Sequence, residues 1–464
     1  MDTTAEELNQ RAIASYGAGL RDEAISQWQA ALSHAPEYWE VMIYLASALK
    51  ERGDTATAGD LYQQALSFQP ALPEVHYNLG NIRQAQGRLG EAEAAYRQAL
   101  AHKADFAFAW YNLGNLYLDQ GKLQDAVDHF KQAILNAPGH APSYNNLGNA
   151  LLHQGELALA AQCYQAALDN QPDYPDARYN LGNALFQQGE FAQALEHFQR
   201  AGIRDSQARA LYCEYKCERF PSFTDHLEAL CESGPHRSPQ VATLAAHAAI
   251  NFGVDNPYRF CPQPFECVWH QSLPELAAGS PLRQDLLEAM STAGIEERLQ
   301  GRLHNGVQSA GNLFHREEAA FQQLAELVRE QFRAYHARYA TADCEMIRSF
   351  PRSLDFESAW YIRMRQGGHL DAHIHEGGWV SGVVYLAMPP RPSGTDDGCL
   401  ELGLHGDNYP VAAGAGDFER RVIPVEAGDM VLFPANLFHR TLPFRADAER
   451  ICVAFDLKPA AGVR

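Results

Sequence analysis

A period of 34 residues runs through the first 208 positions of the 464-residue chain, and it limits the possible folds more than any other feature. Gly19, Gly53, Gly87, Gly121, Gly155 and Gly189 recur at that spacing, as do Ala24, Ala58, Ala92, Ala126, Ala160 and Ala194. An aromatic side chain keeps step one helical turn later: Trp28, Tyr62, Tyr96, Phe130, Tyr164 and Phe198. Pro36, Pro70, Pro138 and Pro172 close four of the units, and Ala104 stands where another proline would fall. The glycine suits the left-handed position that ends a helix. The small alanine lets two helices approach, and the aromatic fills the gap between them. Proline cannot continue a helix and marks the break between units. Each unit reads as a helix hairpin that cannot bury its apolar face alone, so six hairpins stack into a solenoid.

This spacing and composition resemble the tetratricopeptide repeat, over about 45% of the chain. Inside the array a second column appears: Asn78-Leu-Gly-Asn81 recurs as Asn112 and Asn115, Asn146 and Asn149, then Asn180 and Asn183. Two asparagines three apart share a helix face, and stacking turns them into parallel rows of amides. An amide both donates and accepts, so such rows can hydrogen-bond an extended peptide backbone without reading its side chains. The arrangement is similar to the asparagine ladder of O-linked N-acetylglucosamine transferases, which implies a protein or peptide partner in the repeat groove. The other reading is that these amides bond within the solenoid or face water. Gln10 and Ile13, then Tyr44 and Ser47, hold the same places in the first two repeats, so the ladder spans repeats three to six.

The formal net charge of −20 argues against nucleic acid as a partner, because phosphate binding needs a basic surface. It permits a basic peptide, although solubility explains an acidic surface equally well. No apolar stretch approaches membrane-spanning length, so no membrane association is expected. The first residues carry neither a basic nor an apolar signal region. Nine scattered cysteines, an odd count with no Cys-x-x-Cys, fit reduced thiols in a cytoplasm better than a disulfide framework or a zinc site. A cytoplasmic location is therefore expected.

The strict period ends near 208. Residues 209–255 stay helical in pattern and are expected as capping helices and linker, because a terminal repeat needs a more polar outer face. Asn256-Pro257 and Pro262-Gln-Pro264 mark a boundary. A helix is expected over 317–340, with Phe321, Leu324, Leu327, Val328 and Phe332 facing the domain it covers. From about 343 short β-rich runs follow: 359–365, 379–387, 399–402, 422–425, 430–433 and 451–457. Strands at this spacing argue for a sandwich or jelly-roll barrel. The fold class is thus multidomain α + β: an N-terminal α-solenoid over 1–208, a helical connection over 209–255, and a jelly-roll (double-stranded β-helix) domain with flanking helices over 256–464.

The last segment carries the chemistry. His369-Leu-Asp371-Ala-His373-Ile-His375 is answered downstream by His439, just past Phe433-Pro434, and eleven residues later by Arg450. Residues alternate sides along a strand, so His373 and His375 are expected to project together. On the last strand Arg450, Cys452 and Ala454 share one face and Ile451, Val453 and Phe455 the other. The first face can admit a co-substrate; the second can pack.

Trp360, Gly367, His373-Ile-His375, Ser381-Gly-Val-Val-Tyr385, Phe433-Pro434, His439 and Arg450, in that order, resemble a bacterial and phage branch of the 2-oxoglutarate/Fe(II)-dependent oxygenases, over roughly residues 300–458. The resemblance implies a double-stranded β-helix, Fe(II) held by His373, His375 and His439, 2-oxoglutarate held by Arg450 with help from Tyr385, and O2 as oxidant. Three facial ligands leave positions for a chelating keto-acid and O2, and a guanidinium matches a carboxylate in two-pronged fashion. The implied activity is hydroxylation, with the repeats recruiting a protein or peptide substrate. One departure stands out: the family's usual third ligand is a carboxylate, and His375 holds its place. Asp371, paired with His369, offers a competing His-x-Asp, or the pair orients the ligands from behind. A repeat scaffold or sensor with an inactive metal-binding barrel, or an oxygenase of small molecules, are the alternative functions.

Overall fold

The structure, a computed structural model, describes residues 3–203, 205–351, 353–406 and 408–458. The chain divides into two compact units, 1–204 and 205–464. The first unit holds six helix pairs among its described residues, from Thr3–Gly17 with Arg21–His34 to Pro175–Gln187 with Phe191–Ala201. The six periodic glycines all take positive φ, between 71° and 94°, as helix-ending residues must. The six alanines are fully buried and their aromatic partners are at most 2% exposed.

The glycine inside each Asn-Leu-Gly-Asn has its own reason. A Cβ on Gly148 would lie 2.6 Å from the Tyr164 ring, and one on Gly80 would lie 2.5 Å from the Tyr96 ring. The last four hairpins therefore close with the second-helix aromatic laid against bare backbone of the first helix. Fully burying such a ring stabilises by about 1.5–3 kcal/mol.

The second unit begins with helices Ser206–Lys216, Phe220–Ser233 and Pro239–Phe252, in the stretch where caps for the solenoid are expected. Its strands are β1 (Trp269–Ser272), β2 (Glu297–Arg298), β3 (Leu303–Ser309), β4 (Asp355–His373), β5 (Val380–Ala387), β6 (Leu400–Gly403), β7 (Arg420–Ile423), β8 (Asp429–Pro434), β9 (Phe438–Thr441) and β10 (Arg450–Lys458). They pair in the order β1-β8-β5-β10-β4-β9-β6-β7, with β3 on β4 and β2 on β3, and every pairing is antiparallel. The sheet curls into a jelly roll. The long β4 pairs with β10 and β3 along its length and with β9 at its end, so one strand serves both halves.

The six strands expected from sequence are present, with ends shifted by a few residues. Three of the others, β1, β3 and β9, have too little alternating apolar character to stand out. β9 is a strand because β4 and β6 flank it, a tertiary effect. The helix expected over 317–340 spans Ala319–Arg338, and its Phe332 meets Phe455 and Phe356 at ring-centroid distances of 6.0 and 6.1 Å. Phe455 belongs to the packing face of β10, and Arg450, Cys452 and Ala454 on the other face line a cavity, as expected. No described helix is long and apolar enough to cross a membrane.

Candidate metal centre

His373 ends β4 directly opposite His439 of β9, a cross-strand pair that brings their rings to 4.3 Å. His375 lies two residues past the end of β4, in a turn, so strand alternation is not what aims it. That turn is tied down by Glu376, whose carboxylate accepts from Arg209 Nη2 at 3.2 Å and from Gln240 Nε2 at 3.0 Å. The His375 ring still arrives 4.6 Å from His439 and 5.1 Å from His373.

Each imidazole is held by its Nδ1. His373 Nδ1 meets the Asp371 carbonyl at 2.8 Å, His375 Nδ1 the Asp456 carboxylate at 2.7 Å, and His439 Nδ1 the Leu437 carbonyl at 3.4 Å. All three partners are acceptors, so Nδ1 carries the proton and Nε2 keeps its lone pair. The Nε2 atoms of His373 and His375 are 3.2 Å apart. Two lone pairs aimed at one another repel, and a cation between them removes the conflict. Burial pushes His373 down to about 3 and His439 well below its ordinary value, with neighbouring imidazoles adding to both shifts. Both are neutral near pH 7, the form that can hold a metal ion. The donor set fits a borderline divalent ion such as Fe(II).

Asp456, which sequence reasoning passed over, supplies the missing carboxylate at one remove. It sits on β10 two residues beyond Ala454, on the cavity face, and accepts from Ser381 Oγ at 2.7 Å and Ser358 Oγ at 3.1 Å besides His375. Burial alone would raise its carboxyl; His375 and the two hydroxyls hold it below the usual carboxylate range. This is a carboxylate–histidine relay, which fixes the ring and makes it a better donor to metal. The signal was legible: an aspartate inside the apolar run Ile451–Leu457 needs a buried partner.

Arg450 opens the same face and is 1% exposed. Its Nε donates to the Gly398 carbonyl at 3.3 Å and its Nη1 to Cys452 Sγ at 3.3 Å, and no carboxylate pairs with it among the described residues. Its guanidinium lies 5.0 Å from the centre of the Tyr385 ring. The Tyr385 hydroxyl is buried without a partner, and burial raises its pKa, so it remains a phenol that can donate. A buried unpaired cation beside an orphaned donor calls for an anion. One cavity of about 490 Å³ joins Arg450 and Tyr385 to the three histidines and Asp456.

The competing His369/Asp371 pair is not part of this centre. His369 stacks on His304 at 4.2 Å, and the half-exposed Asp371 carboxylate accepts from His304 Nε2 at 3.0 Å. Asp371 orients His373 with its backbone carbonyl, not its side chain, because the two side chains leave β4 toward a different neighbour, β3.

In the first unit the eight asparagines are half-buried, and six of them bond to one another between repeats. Asn112 Nδ2 donates to Asn81 Oδ1 at 2.7 Å, Asn146 Nδ2 to Asn115 Oδ1 at 2.8 Å, and Asn180 Nδ2 to Asn149 Oδ1 at 3.3 Å. Tyr96 and Tyr164 hydroxyls donate to Asn81 and Asn149 at 2.8 Å each, and Lys50 Nζ donates to Asn78 at 2.9 Å. The rows are real, and much of their capacity is used within the solenoid. Asn112 Oδ1 and Asn115 Nδ2 have no partner among the described residues. Asn183 Oδ1 is buried and unpartnered.

Residues 358–456 match the family described as "Putative 2OG-Fe(II) oxygenase", and residues 46–87, 77–143 and 144–208 match tetratricopeptide-repeat families. The chain is a tetratricopeptide-repeat array joined to a 2OG-Fe(II) oxygenase-family domain. Similar solved structures are repeat proteins. MamA from Desulfovibrio magneticus RS-1 is 20% identical over 35% of this chain and 92% of that one, with a TM-score of 0.34. Pseudomonas aeruginosa PilF is 20% identical over 42% and 92%, with a TM-score of 0.38. YrrB, described as a repeat protein with an unusual peptide-binding site, is 19% identical over 44% and 98%, with a TM-score of 0.34. No curated protein matches the chain. The oxygenase-family match covers strands β5 to β9 whole, with β4 from Ser358 and β10 up to Asp456, and contains all three histidines and Arg450.

Proposed function

We propose that the second unit is an Fe(II)- and 2-oxoglutarate-dependent hydroxylase acting on a protein or peptide that the repeats capture. The observation that carries this reading is the single cavity in which three Nε2 lone pairs converge within reach of an unpaired buried guanidinium. His373, His375 and His439 would hold Fe(II). Arg450 would grip the distal carboxylate of 2-oxoglutarate by paired N–H bonds, with the Tyr385 hydroxyl as a further donor. When bound, the ion would couple O2 and 2-oxoglutarate to conversion of a substrate C–H into C–OH, with succinate and CO2 as the other products. Asp456 holds His375 in one tautomer while Ser358 and Ser381 keep that carboxylate ionised. The apolar walls Ile362, Val383 and Leu400 exclude water around the Arg450 grip.

The repeats enter through two free amide atoms of the fourth repeat, whose counterparts on Asn146 and Asn149 bond to each other. Asn112 Oδ1 can accept from a peptide N–H, and Asn115 Nδ2 can donate to a peptide C=O. Their orientation is already fixed by the bonds to Asn81 and Asn146, which lowers the entropy lost on capture. Tethering a docking array to the catalytic unit raises the local substrate concentration without a tight pocket.

Anaerobic Fe(II) and 2-oxoglutarate should give a weak visible charge-transfer band, and succinate should form once O2 is admitted. A protein with neither is a scaffold. Proteins trapped on the His439→Ala variant should gain the mass of one oxygen atom when treated with the active form. Replacing Asn112, Asn115, Asn146 and Asn149 by alanine should abolish that trapping with helicity unchanged by circular dichroism. Undiminished trapping would assign recruitment to some other surface, and succinate coupled to a free metabolite without residues 1–208 would make the substrate a small molecule.

A further inference from the structure

A second cluster lies outside the histidine centre. Cys261, Cys267 and Cys344 come from three separate segments, each at most 3% exposed, and their three sulfurs all lie within 4.8 Å of one another. Cys261 follows a stretch that pairs with the turn carrying Cys344: the Arg259 and Phe260 carbonyls each accept, from the backbone N–H of Glu345 and Met346, at 2.9 Å. Cys267 closes the short helix Pro264–Cys267, and its carbonyl accepts from the Tyr335 hydroxyl at 2.6 Å. A cavity of about 170 Å³ opens beside the sulfurs, lined also by Arg259, Glu266 and Asp343.

Three buried thiols in one small triangle gain little from one another by hydrogen bonding, because S–H is a weak donor and sulfur a weak acceptor. A disulfide would need two sulfurs at about 2.05 Å and would leave the third thiol over. Tetrahedral Zn(II), with Zn–S near 2.3 Å, sets its sulfurs about 3.8 Å apart, which the triangle reaches with little movement. The adjoining cavity has room for a water molecule, about 30 Å³ in the liquid, as a fourth ligand. The three thiols shift one another: hydrogen bonds from Cys261 and then Cys267 lower Cys344 against the opposing effect of burial, and Cys261 and Cys267 are raised in turn.

We propose that Cys261, Cys267 and Cys344 form a Zn(II) site of three thiolates, with its fourth position open to the adjoining cavity. Binding replaces the thiol protons, which pass to solvent, and no atom changes oxidation state. The ion would brace 259–267 against 344–346. From there the brace reaches Trp379, whose indole N–H donates to the Met346 carbonyl at 2.8 Å at the head of β5, and Asn436, whose amide donates to the Cys261 carbonyl at 3.3 Å. Sequence spacing hides the site, because Cys261 and Cys267 are six apart and Cys344 is far downstream.

The test uses the full chain, purified without oxygen and stripped of metal, with Co(II) as probe. Only a thiolate ligand gives cobalt a strong near-ultraviolet charge-transfer band; imidazoles do not. That band should appear equally in wild type and in the His439→Ala variant, and should be lost in Cys344→Ser. His439→Ala purified with zinc should retain one equivalent. Should Cys344→Ser not fold, alkylation of the wild type decides: zinc should slow labelling of Cys261, Cys267 and Cys344 together by more than about tenfold, since thiolate availability governs the reaction, and leave Cys163 unaffected. Cobalt binding without a thiolate band, labelling that zinc does not slow, or a disulfide within the trio would overturn the proposal. None of these readouts depends on turnover at the histidines.

Discussion

The repeat array and the barrel dispose of half-buried and buried polar groups in opposite ways. In the array, asparagine amides answer one another from repeat to repeat and tyrosine hydroxyls answer them within a repeat, so much of their capacity is matched inside the solenoid. In the barrel, three imidazole nitrogens, a phenol without a partner and a guanidinium that no described carboxylate pairs turn toward a shared hollow. A buried polar group without a partner is costly, so a fold keeps several together only where a ligand completes them. The contrast separates polar residues that build from polar residues that wait.

Substitutions in the two units should differ accordingly. Arg450→Ala should weaken 2-oxoglutarate binding by about 2–4 kcal/mol, roughly 30- to 1,000-fold in Kd, because it removes the charged partner of a buried carboxylate. Isothermal titration of the Fe(II)-loaded protein measures this. Stability should change little or rise, since an uncompensated buried cation is lost; a large fall in melting temperature would mean that Arg450 is structural. Asp456→Asn should lower iron affinity about 10- to 100-fold, the usual effect of removing a carboxylate behind a metal-bound imidazole. Iron titration followed by the visible band reads it, and an unchanged affinity would leave His375 outside the ligand set. In the array, Gly148→Ala gains about 1 kcal/mol of helix propensity but drives a methyl into the Tyr164 ring, which overpacking places at about 1–3 kcal/mol. A net loss of about 1 kcal/mol in the repeat unit's thermal unfolding is expected, with iron affinity untouched. A gain in stability would show that the aromatic can retreat.

How far the sequence could be read differs between the units for the same reason. A solenoid repeats its local rules, so glycine, alanine and aromatic each announced their places six times over, and proline four times. The barrel states each rule once. The histidines and Arg450 were legible because metal and carboxylate chemistry use few residue types. Asp456 was not singled out, although it continues the Arg450, Cys452, Ala454 face, because its partner His375 is remote in sequence and comes from a turn. Strand β9 was missed because its neighbours, not its own composition, make it a strand. The glycine of Asn-Leu-Gly-Asn was seen as part of a motif, yet its contact with the aromatic of the paired helix is a property of packing that no spacing encodes.

The three imidazoles are unevenly anchored. His373 and His439 ride on backbone knitted into the sheet on both sides of their shared ladder, whereas His375 hangs from a bend secured by Glu376 and Asp456. Any change in coordination number or bond length at an ion bound there would therefore meet two stiff corners and one compliant corner. Mechanical give is concentrated at a single vertex, where it can be absorbed by side-chain tethers without shearing the cavity walls around Arg450.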